Sequence, residues 1–364
     1  MEKKRKYIYT VFAVFILFLA ALFAAWLFEA LPSPESNISA RAVSHTVNEE
    51  DNSSQMLYAS GVPIGIYIKT DGILVLGTQQ VRTENGQIVS PCTQKLKAGD
   101  YILAINNEPI LSKKHFSQLL QKNGKQQITL TILRKGEKQD IQITPVYSPD
   151  EKEYQIGAWI RNDTQGIGTV TYIRPDGTFA ALGHGINDYD LGVHLNISGG
   201  SVYQTNISAI MKGKADNPGE IIGSIKYIPE NYLGNIRKNT EGGIFGTIKK
   251  EKSSFQLGEL LPVADFSEIK KGKAFLRTSI SGVSTDYTVK IEKITKNRKN
   301  KLKSLQIKVT DERLLQLTGG IVQGLSGSPL IQDGKIIGAV THVLVSDPSK
   351  GYGIAVETML QEEK

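Results

Sequence analysis

Residues 321–330 read Ile321-Val322-Gln323-Gly324-Leu325-Ser326-Gly327-Ser328-Pro329-Leu330, a Gly-x-Ser-Gly-x-Pro pattern between two apolar runs. A tight glycine turn of this kind exposes the hydroxyl of Ser326. The backbone N–H groups of Gly324 and Ser326 can then converge on one point and form an oxyanion hole. In isolation, Gly-x-Ser-Gly is more often a tight hairpin with a capping serine, so a nucleophilic role needs partners elsewhere in the chain.

The turn resembles the Gly-Asp-Ser-Gly-Gly-Pro nucleophile turn of chymotrypsin-like proteases. It departs from that turn at Leu325, which replaces the acidic residue, and at Ser328, which replaces a glycine. Because the acid pairs with a newly cleaved N-terminus in trypsin-like zymogens, that mode of activation is not expected here. Residues 335–343 and 351–356 follow, and they resemble the strands that line the specificity pocket in the same superfamily.

A nucleophilic serine needs a base, and neutral imidazole has a suitable pKa. Of the five histidines, His45 lies in a polar segment and His115 lies outside the region of the serine motif. His184 stands between two glycines after an apolar run, which predicts a ring at a strand end that faces a cleft. The alternation around His194 indicates a strand side chain, and His342 is interpreted as a pocket-lining residue. We therefore expect His184 to be the base.

A carboxylate should hold the imidazole of the base in one tautomer. Asp311 is our choice, because it keeps the chain order His–Asp–Ser of the chymotrypsin superfamily. The residues alone do not separate it from Asp188, Asp190 and Asp265. Asp311 is also placed to cap a helix that begins at Glu312, which is the structural alternative for this residue.

Residues 57–147 have the pattern of a PDZ-like domain. Residues 98–106, Ala-Gly-Asp-Tyr-Ile-Leu-Ala-Ile-Asn, resemble the bacterial PDZ signature. Apolar spacing predicts a helix over residues 112–122, and alternation predicts strands over 127–134 and 138–144. PDZ domains bind a peptide as an added strand, beside a turn whose N–H groups hold the carboxylate. We expect that turn at Gly61, Val62, Pro63, Ile64, Gly65 and Ile66; the alternative is a groove that is filled internally and serves only in packing.

Residues 7–28 carry no charged side chain and, at 1.5 Å per residue, are long enough to span a roughly 30 Å hydrocarbon core. Basic residues precede this stretch, so the positive-inside rule places residues 1–6 in the cytoplasm and the later residues across the membrane. The alternative is a cleaved signal peptide, whose apolar region is normally about 7–15 residues. Residues 29–56 are rich in Pro, Ser, Asn and Glu and predict a flexible tether.

The net charge of +7 lies largely in residues 3–6 and 290–308. The second run has no interleaved aromatic residues, so we expect a solvated surface and no nucleic-acid partner. Cys92 is the single cysteine, which excludes intramolecular disulfides and a cysteine-based metal site. We expect neither a metal nor a cofactor.

The apolar anchor, the PDZ signature, residues 182–186 (Leu-Gly-His-Gly-Ile) and residues 318–329 together resemble the stage IV sporulation protein B (SpoIVB) peptidase family. The resemblance implies a mostly β chain, with a chymotrypsin-like double β-barrel peptidase domain over residues 148–364. It also implies a catalytic triad of His184, Asp311 and Ser326.

The family further implies a setting for this chain. Its members are exported into the space between the two forespore membranes and cleave a regulator of an intramembrane protease, which leads to sigma-K activation. They are also thought to cleave themselves. We therefore expect a membrane-anchored serine endopeptidase whose partner is a protein substrate. The alternative from another class is a catalytically silent PDZ scaffold that binds a membrane partner, and labelling of Ser326 by a fluorophosphonate would distinguish the two.

Overall fold

The structure is a computed structural model that describes residues 55–249, 257–296 and 298–364. The predicted cytoplasmic tail, the predicted membrane span over residues 7–28 and the predicted tether up to residue 54 lie outside the described residues. Among the residues described, no helix is long and apolar enough to cross a membrane.

The described chain is mostly β. Its strands are β1 Met56–Ala59, β2 Pro63–Thr78, β3 Val81–Arg82, β4 Ile88–Val89, β5 Tyr101–Ile105, β6 Glu108–Pro109, β7 Ile128–Arg134, β8 Glu137–Ile143, β9 Val146–Ser148, β10 Glu153–Gln155, β11 Ala158–Ile173, β12 Thr178–Ala181, β13 Ile197–Met211, β14 Glu220–Ile225, β15 Tyr232–Thr240, β16 Gly243–Ile248, β17 Glu259–Pro262, β18 Gly272–Thr278, β19 Thr285–Ile294, β20 Leu305–Val309, β21 Pro329–Gln332, β22 Lys335–Val343 and β23 Lys350–Ala355. Its α-helices are α1 Lys113–Asn123, α2 Glu312–Thr318 and α3 Val356–Glu363, and its 3-10 helices are Pro229–Asn231, Phe266–Glu268 and Arg298–Lys303.

The first barrel closes through six strands. Strand β2 pairs with β11, and β12, β16, β15 and β13 follow in order until β13 pairs with β2 again. Ile64, Ile66 and Ile68 of β2 are all buried inside this ring. Successive side chains of a strand point to opposite faces, so a β-branched residue at every second position fills the barrel interior.

The second barrel closes through β18, β19, β20, β23, β22 and β21. A separate apolar layer joins the two barrels: Tyr172 and Phe245 of the first pack in one cluster with Ile331 and Ile354 of the second. The mostly β fold with a double-barrel peptidase domain, predicted from the serine motif and its resemblance, is confirmed, and each barrel has six strands.

The PDZ-like unit is an insertion in the first barrel. The antiparallel pairing of β2 with β11 extends from Pro63 opposite Thr169 to Thr78 opposite Ala158, so two long strands carry both units. Strands β5, β7 and β8 continue the sheet from β2, and α1 packs on it through Phe116. The predicted division into residues 57–147 and 148–364 therefore differs from the structure at its start, because the beginning of β2 pairs within the barrel.

The predicted peptide-binding turn over Gly61, Val62, Pro63, Ile64, Gly65 and Ile66 is wrong. Ile64 pairs with Gly168 of β11 on one side and with Gln204 of β13 on the other. An added peptide strand needs a free edge, and this part of β2 has none. Its alternating isoleucines face the interior of the barrel instead of a ligand groove.

Candidate active site

Ser326 lies in the turn that leads into β21, where the second barrel meets the first. The neighbouring Gly327 has a φ of 95°, and a Cβ there would lie 2.0 Å from the carbonyl oxygen of Thr169 and 2.5 Å from the backbone nitrogen of Leu182. Only glycine permits so close an approach at this φ. Thr169 N–H also donates to the Ser326 carbonyl at 3.1 Å. The serine turn is thus packed directly on β11 and the end of β12.

The peptide between Gln323 and Gly324 is held by the start of β14. Gln323 N–H donates to the Gly219 carbonyl at 3.1 Å, and the Gln323 carbonyl accepts from Ile221 N–H at 2.9 Å. The C=O and N–H of a trans peptide point in opposite directions, so Gly324 N–H points away from β14. Within the described chain, no backbone carbonyl accepts from the N–H of Gly324 or of Ser326. Both donors of the predicted oxyanion hole are therefore without a backbone partner among the described residues.

His184 follows β12 after a sharp change of chain direction. Leu182 and Gly183 have φ angles of 72° and 68°, and the first of these is uncommon for a residue other than glycine. The ring Nδ1 of His184 lies 2.9 Å from the Gly185 carbonyl oxygen. A carbonyl only accepts, so this bond places the hydrogen on Nδ1 and leaves Nε2 with a free lone pair.

Burial lowers the pKa of His184 from its usual 6.5, and the bond to the Gly185 carbonyl opposes that shift. Burial penalises the charged imidazolium, whereas an acceptor at Nδ1 favours it. The net direction is downward, so the ring is neutral at neutral pH.

Ser326 and His184 each lie beside β22. Ser326 Oγ donates to the Thr341 carbonyl at 2.8 Å. The next residue on that strand, His342, has its ring centroid 5.3 Å from that of His184, with the ring planes inclined by 42°. The structure thus brings the predicted nucleophile and the predicted base to one side of the barrel junction. The hydroxyl bonds to Thr341 in this conformation and makes no hydrogen bond to His184.

His342 packs against His184. Its Nδ1 is buried and has no hydrogen-bond partner in the described part of the chain. Burial, followed by repulsion from His184 and Lys303, lowers the pKa of His342 to about 4. His342 is therefore neutral at neutral pH, which agrees with a lining role.

Asp311 is not hydrogen-bonded to His184. It is the N-cap of α2, where its Oδ1 accepts from Arg313 N–H at 3.0 Å and its Oδ2 accepts from Thr288 N–H at 3.1 Å. The Arg313 side chain bonds both carboxylate oxygens, at 2.9 and 2.8 Å, and holds the pKa of Asp311 well below its usual range. The contact that a triad requires is therefore missing here, and Asp311 has the geometry of the helix cap that was its structural alternative.

The rival groups also bond elsewhere. Asp188 and Asp190 both bind Arg161, at 2.6 and 2.7 Å. Asp265 caps a 3-10 helix by accepting from Ser267 N–H. The exposed His194 places its Nε2 3.1 Å from the Asn239 carbonyl. Among these four residues, none is hydrogen-bonded to His184.

The PDZ-like unit has a groove away from the turn that the sequence predicted. One wall is α1, with Phe116 and Ser117, and the other is the start of β11 after Gly157, around a cavity of about 350 Å³. Ala158 and Trp159 pair with β2 along one edge only, so their other edge remains free among the described strands. Gly157, which stands before the apolar start of β11, was the sequence feature that could have predicted this groove. It follows the PDZ signature in the chain, whereas the predicted turn precedes it.

The profile of the SpoIVB peptidase S55 family matches residues 152–360, and that of the PDZ domain matches residues 92–134. Solved structures give weaker likenesses. The PDZ domain of the SdrC-like protein from Listeria monocytogenes is 17% identical over 26% of this chain and 90% of that chain, with a TM-score of 0.21. The HtrA-type protease AlgW with a decapeptide is 9% identical over 84% of this chain and 64% of that chain, with a TM-score of 0.34.

Rv3671c from M. tuberculosis H37Rv, as its inactive Ser343Ala mutant, is 14% identical over 54% of this chain and 80% of that chain, with a TM-score of 0.27. These TM-scores are too low to support a conclusion about this chain. No curated protein matched the sequence.

Proposed function

The chain belongs to the SpoIVB peptidase S55 family and is a serine endopeptidase, and from this premise we propose that it cleaves its substrates with Ser326 as nucleophile and His184 as general base. The observation that carries the assignment is the packing of the Ser326 turn on the residues just before His184. The close approach of Gly327 to Leu182 joins the two motifs across the barrel junction.

The proposed chemistry uses groups of this chain at each step. The Ser326 hydroxyl turns from the Thr341 carbonyl to Nε2 of His184. Nε2 takes the hydroxyl proton as Ser326 Oγ attacks the scissile carbonyl. The N–H groups of Gly324 and Ser326 donate to the oxyanion that forms. The imidazolium then gives its proton to the leaving amine, and water releases the acyl group from Ser326 with His184 again as the base.

The groove between α1 and the start of β11 is the proposed peptide-binding site of the PDZ-like unit. An extended peptide would add its main chain to the free edge at Ala158 and Trp159. Gly157, whose φ is 70°, stands where a carboxylate-binding turn requires a backbone without a side chain. We assign to this groove the capture of a protein substrate or regulator.

The biological setting is also a proposal, and the name of the family supports it. It consists of anchoring by residues 7–28, a peptidase domain in the space between the forespore membranes, and cleavage of a membrane-bound regulator of an intramembrane protease during the signalling that leads to sigma-K activation. Cleavage of the chain by itself belongs to the same proposal.

The test compares two serines of one turn in the full-length chain. Ser326→Ala should lower kcat by several orders of magnitude, because the nucleophile is lost. Ser328→Ala is the matched control: this hydroxyl is buried and has no partner in the described chain, so its removal should leave hydrolysis intact. Near wild-type hydrolysis by Ser326→Ala would exclude Ser326 as the nucleophile.

A further inference from the structure

A serine peptidase needs a group that fixes the tautomer of its catalytic histidine, and here the group at Nδ1 is a carbonyl of the backbone. Nδ1 of His184 donates to Gly185 O, while Asp311, Asp188 and Asp190 are bonded to arginine side chains. A carbonyl can do the orienting part of the task of a carboxylate, provided that the carbonyl itself cannot turn.

Asn239, near the end of β15, holds the peptide that bears this carbonyl. Its Oδ1 accepts from Ile186 N–H at 2.8 Å, and that N–H belongs to the same peptide group as the Gly185 carbonyl. Its Nδ2 donates to the carbonyl oxygens of Ile186 at 2.9 Å and Leu195 at 3.0 Å. The C=O and N–H of a trans peptide point in opposite directions, so the bond from Ile186 N–H sets the direction of the Gly185 carbonyl.

The backbone beside Asn239 holds the other side of Gly185. Gly185 N–H donates to the Glu241 carbonyl at 3.1 Å. A Cβ at Gly185 would lie 2.5 Å from the Thr240 carbonyl oxygen and 2.5 Å from the ring of His194. The hairpin from β15 to β16 thus fixes the peptide groups on both sides of Gly185 and leaves no space for a side chain there.

We propose that Asn239 is a positioning residue for catalysis: it locks the Gly185 carbonyl against Nδ1 of His184 and thereby keeps Nε2 free as the base. This inference rests on the proposed function of His184. It assigns the orienting role to the pair formed by the Gly185 carbonyl and the Asn239 side chain.

The first test reads the tautomer without using activity. Ring-nitrogen NMR shifts of His184 in the full-length chain should show hydrogen on Nδ1 at neutral pH. In Asn239→Ala that preference should give way to a mixture of tautomers. Asn235→Ala is the matched control, because Asn235 lies on the same strand and its side chain bonds only Thr247 in the described chain. An unchanged tautomer in Asn239→Ala overturns the proposal.

The second test reads the reaction. Asn239→Ala should lower kcat about 100-fold with little change in KM, as expected when a reacting group is displaced by about 1 Å. Asn239→Asp keeps the acceptor for Ile186 N–H and loses both donor hydrogens, so its kcat should fall between those of Asn239→Ala and the wild type. This variant replaces Asn239→Ala in the test if the alanine variant does not fold. A lost tautomer preference with unchanged kcat overturns the positioning role. Failure of the proposed function would give a different result: His184→Ala would keep wild-type kcat, while the NMR shifts would still show that Asn239 fixes the tautomer of His184.

Discussion

Replacing Arg161 should loosen the segment that follows His184, the proposed general base. Arg161 lies on β11, just past the free edge of the PDZ-like groove, and its two terminal nitrogens bind Asp188 and Asp190. The Asp188 side chain is 1% exposed, whereas that of Asp190 is 48% exposed. The ion pair with Asp188 therefore joins the groove strand to the segment after His184 through a buried carboxylate.

The magnitude follows from what remains after the change. Breaking a buried ion pair by removing one partner typically costs about 3–5 kcal/mol. Asp188 Oδ1 keeps two backbone donors, Asp190 N–H and Leu191 N–H, both at 3.0 Å. Those bonds still stabilise the carboxylate, so we expect Arg161→Met to cost about 3 kcal/mol, at the lower end of that range. The exposed pair with Asp190 should contribute no more than about 1 kcal/mol.

The assay is urea unfolding of the full-length chain, combined with hydrogen exchange over residues 186–195. Arg161→Met should lower the unfolding midpoint and speed exchange in that segment, and Asp190→Asn should leave both nearly unchanged. Equal losses in the two variants would refute the reasoning, since they would show that burial of Asp188 does not set the strength of the pair.

Further predictions concern pH, packing and the groove. The lowered pKa of His184 should place the acid limb of the kcat/KM profile below pH 6.5, and a limb above that value would contradict burial of the base. Burial lowers the pKa of His342 to about 4, whereas in the unfolded chain His342 binds a proton near pH 6.5. The folded protein should therefore lose stability as the pH falls from about 6.5 toward 4. Thermal melts should show a smaller loss in His342→Asn. Gly327→Ala should inactivate the enzyme, because its Cβ would lie 2.0 Å from the Thr169 carbonyl, and wild-type kcat would rule out this packing. Ser117→Trp should block peptide binding in the groove, measured by fluorescence titration, without changing the melting temperature, whereas Ile64→Glu should unfold the first barrel because Ile64 is fully buried.

Local sequence patterns predicted the turns and the helix whose geometry is set by neighbouring residues in the chain. The glycines around Ser326 and His184 marked turns that only glycine tolerates, and both turns are found at the barrel junction. The helix predicted over residues 112–122 is observed as Lys113–Asn123, with Phe116 on its buried face, because helical apolar spacing is a property of the segment itself.

Other features could not be predicted because they depend on pairing between distant segments. The alternation of Ile64 and Ile66 fits a strand with a free edge as well as one paired on both sides, and only β11 and β13 decide between them. The group at Nδ1 of His184 is a backbone carbonyl, which every residue has, so no residue type identifies it. Asp311 lies between His184 and Ser326 in the chain, as a triad aspartate would, and it also directly precedes a predicted helix. The structure shows it as the N-cap of that helix.

The central claim, that Ser326 is a nucleophile activated by His184, is tested most directly by mapping where a fluorophosphonate attaches to the full-length chain. We expect mass spectrometry to find the adduct on Ser326, and we expect the rate of labelling to collapse in His184→Ala while it persists in His194→Ala. An adduct on another serine, or an undiminished rate of Ser326 labelling in His184→Ala, would contradict the account.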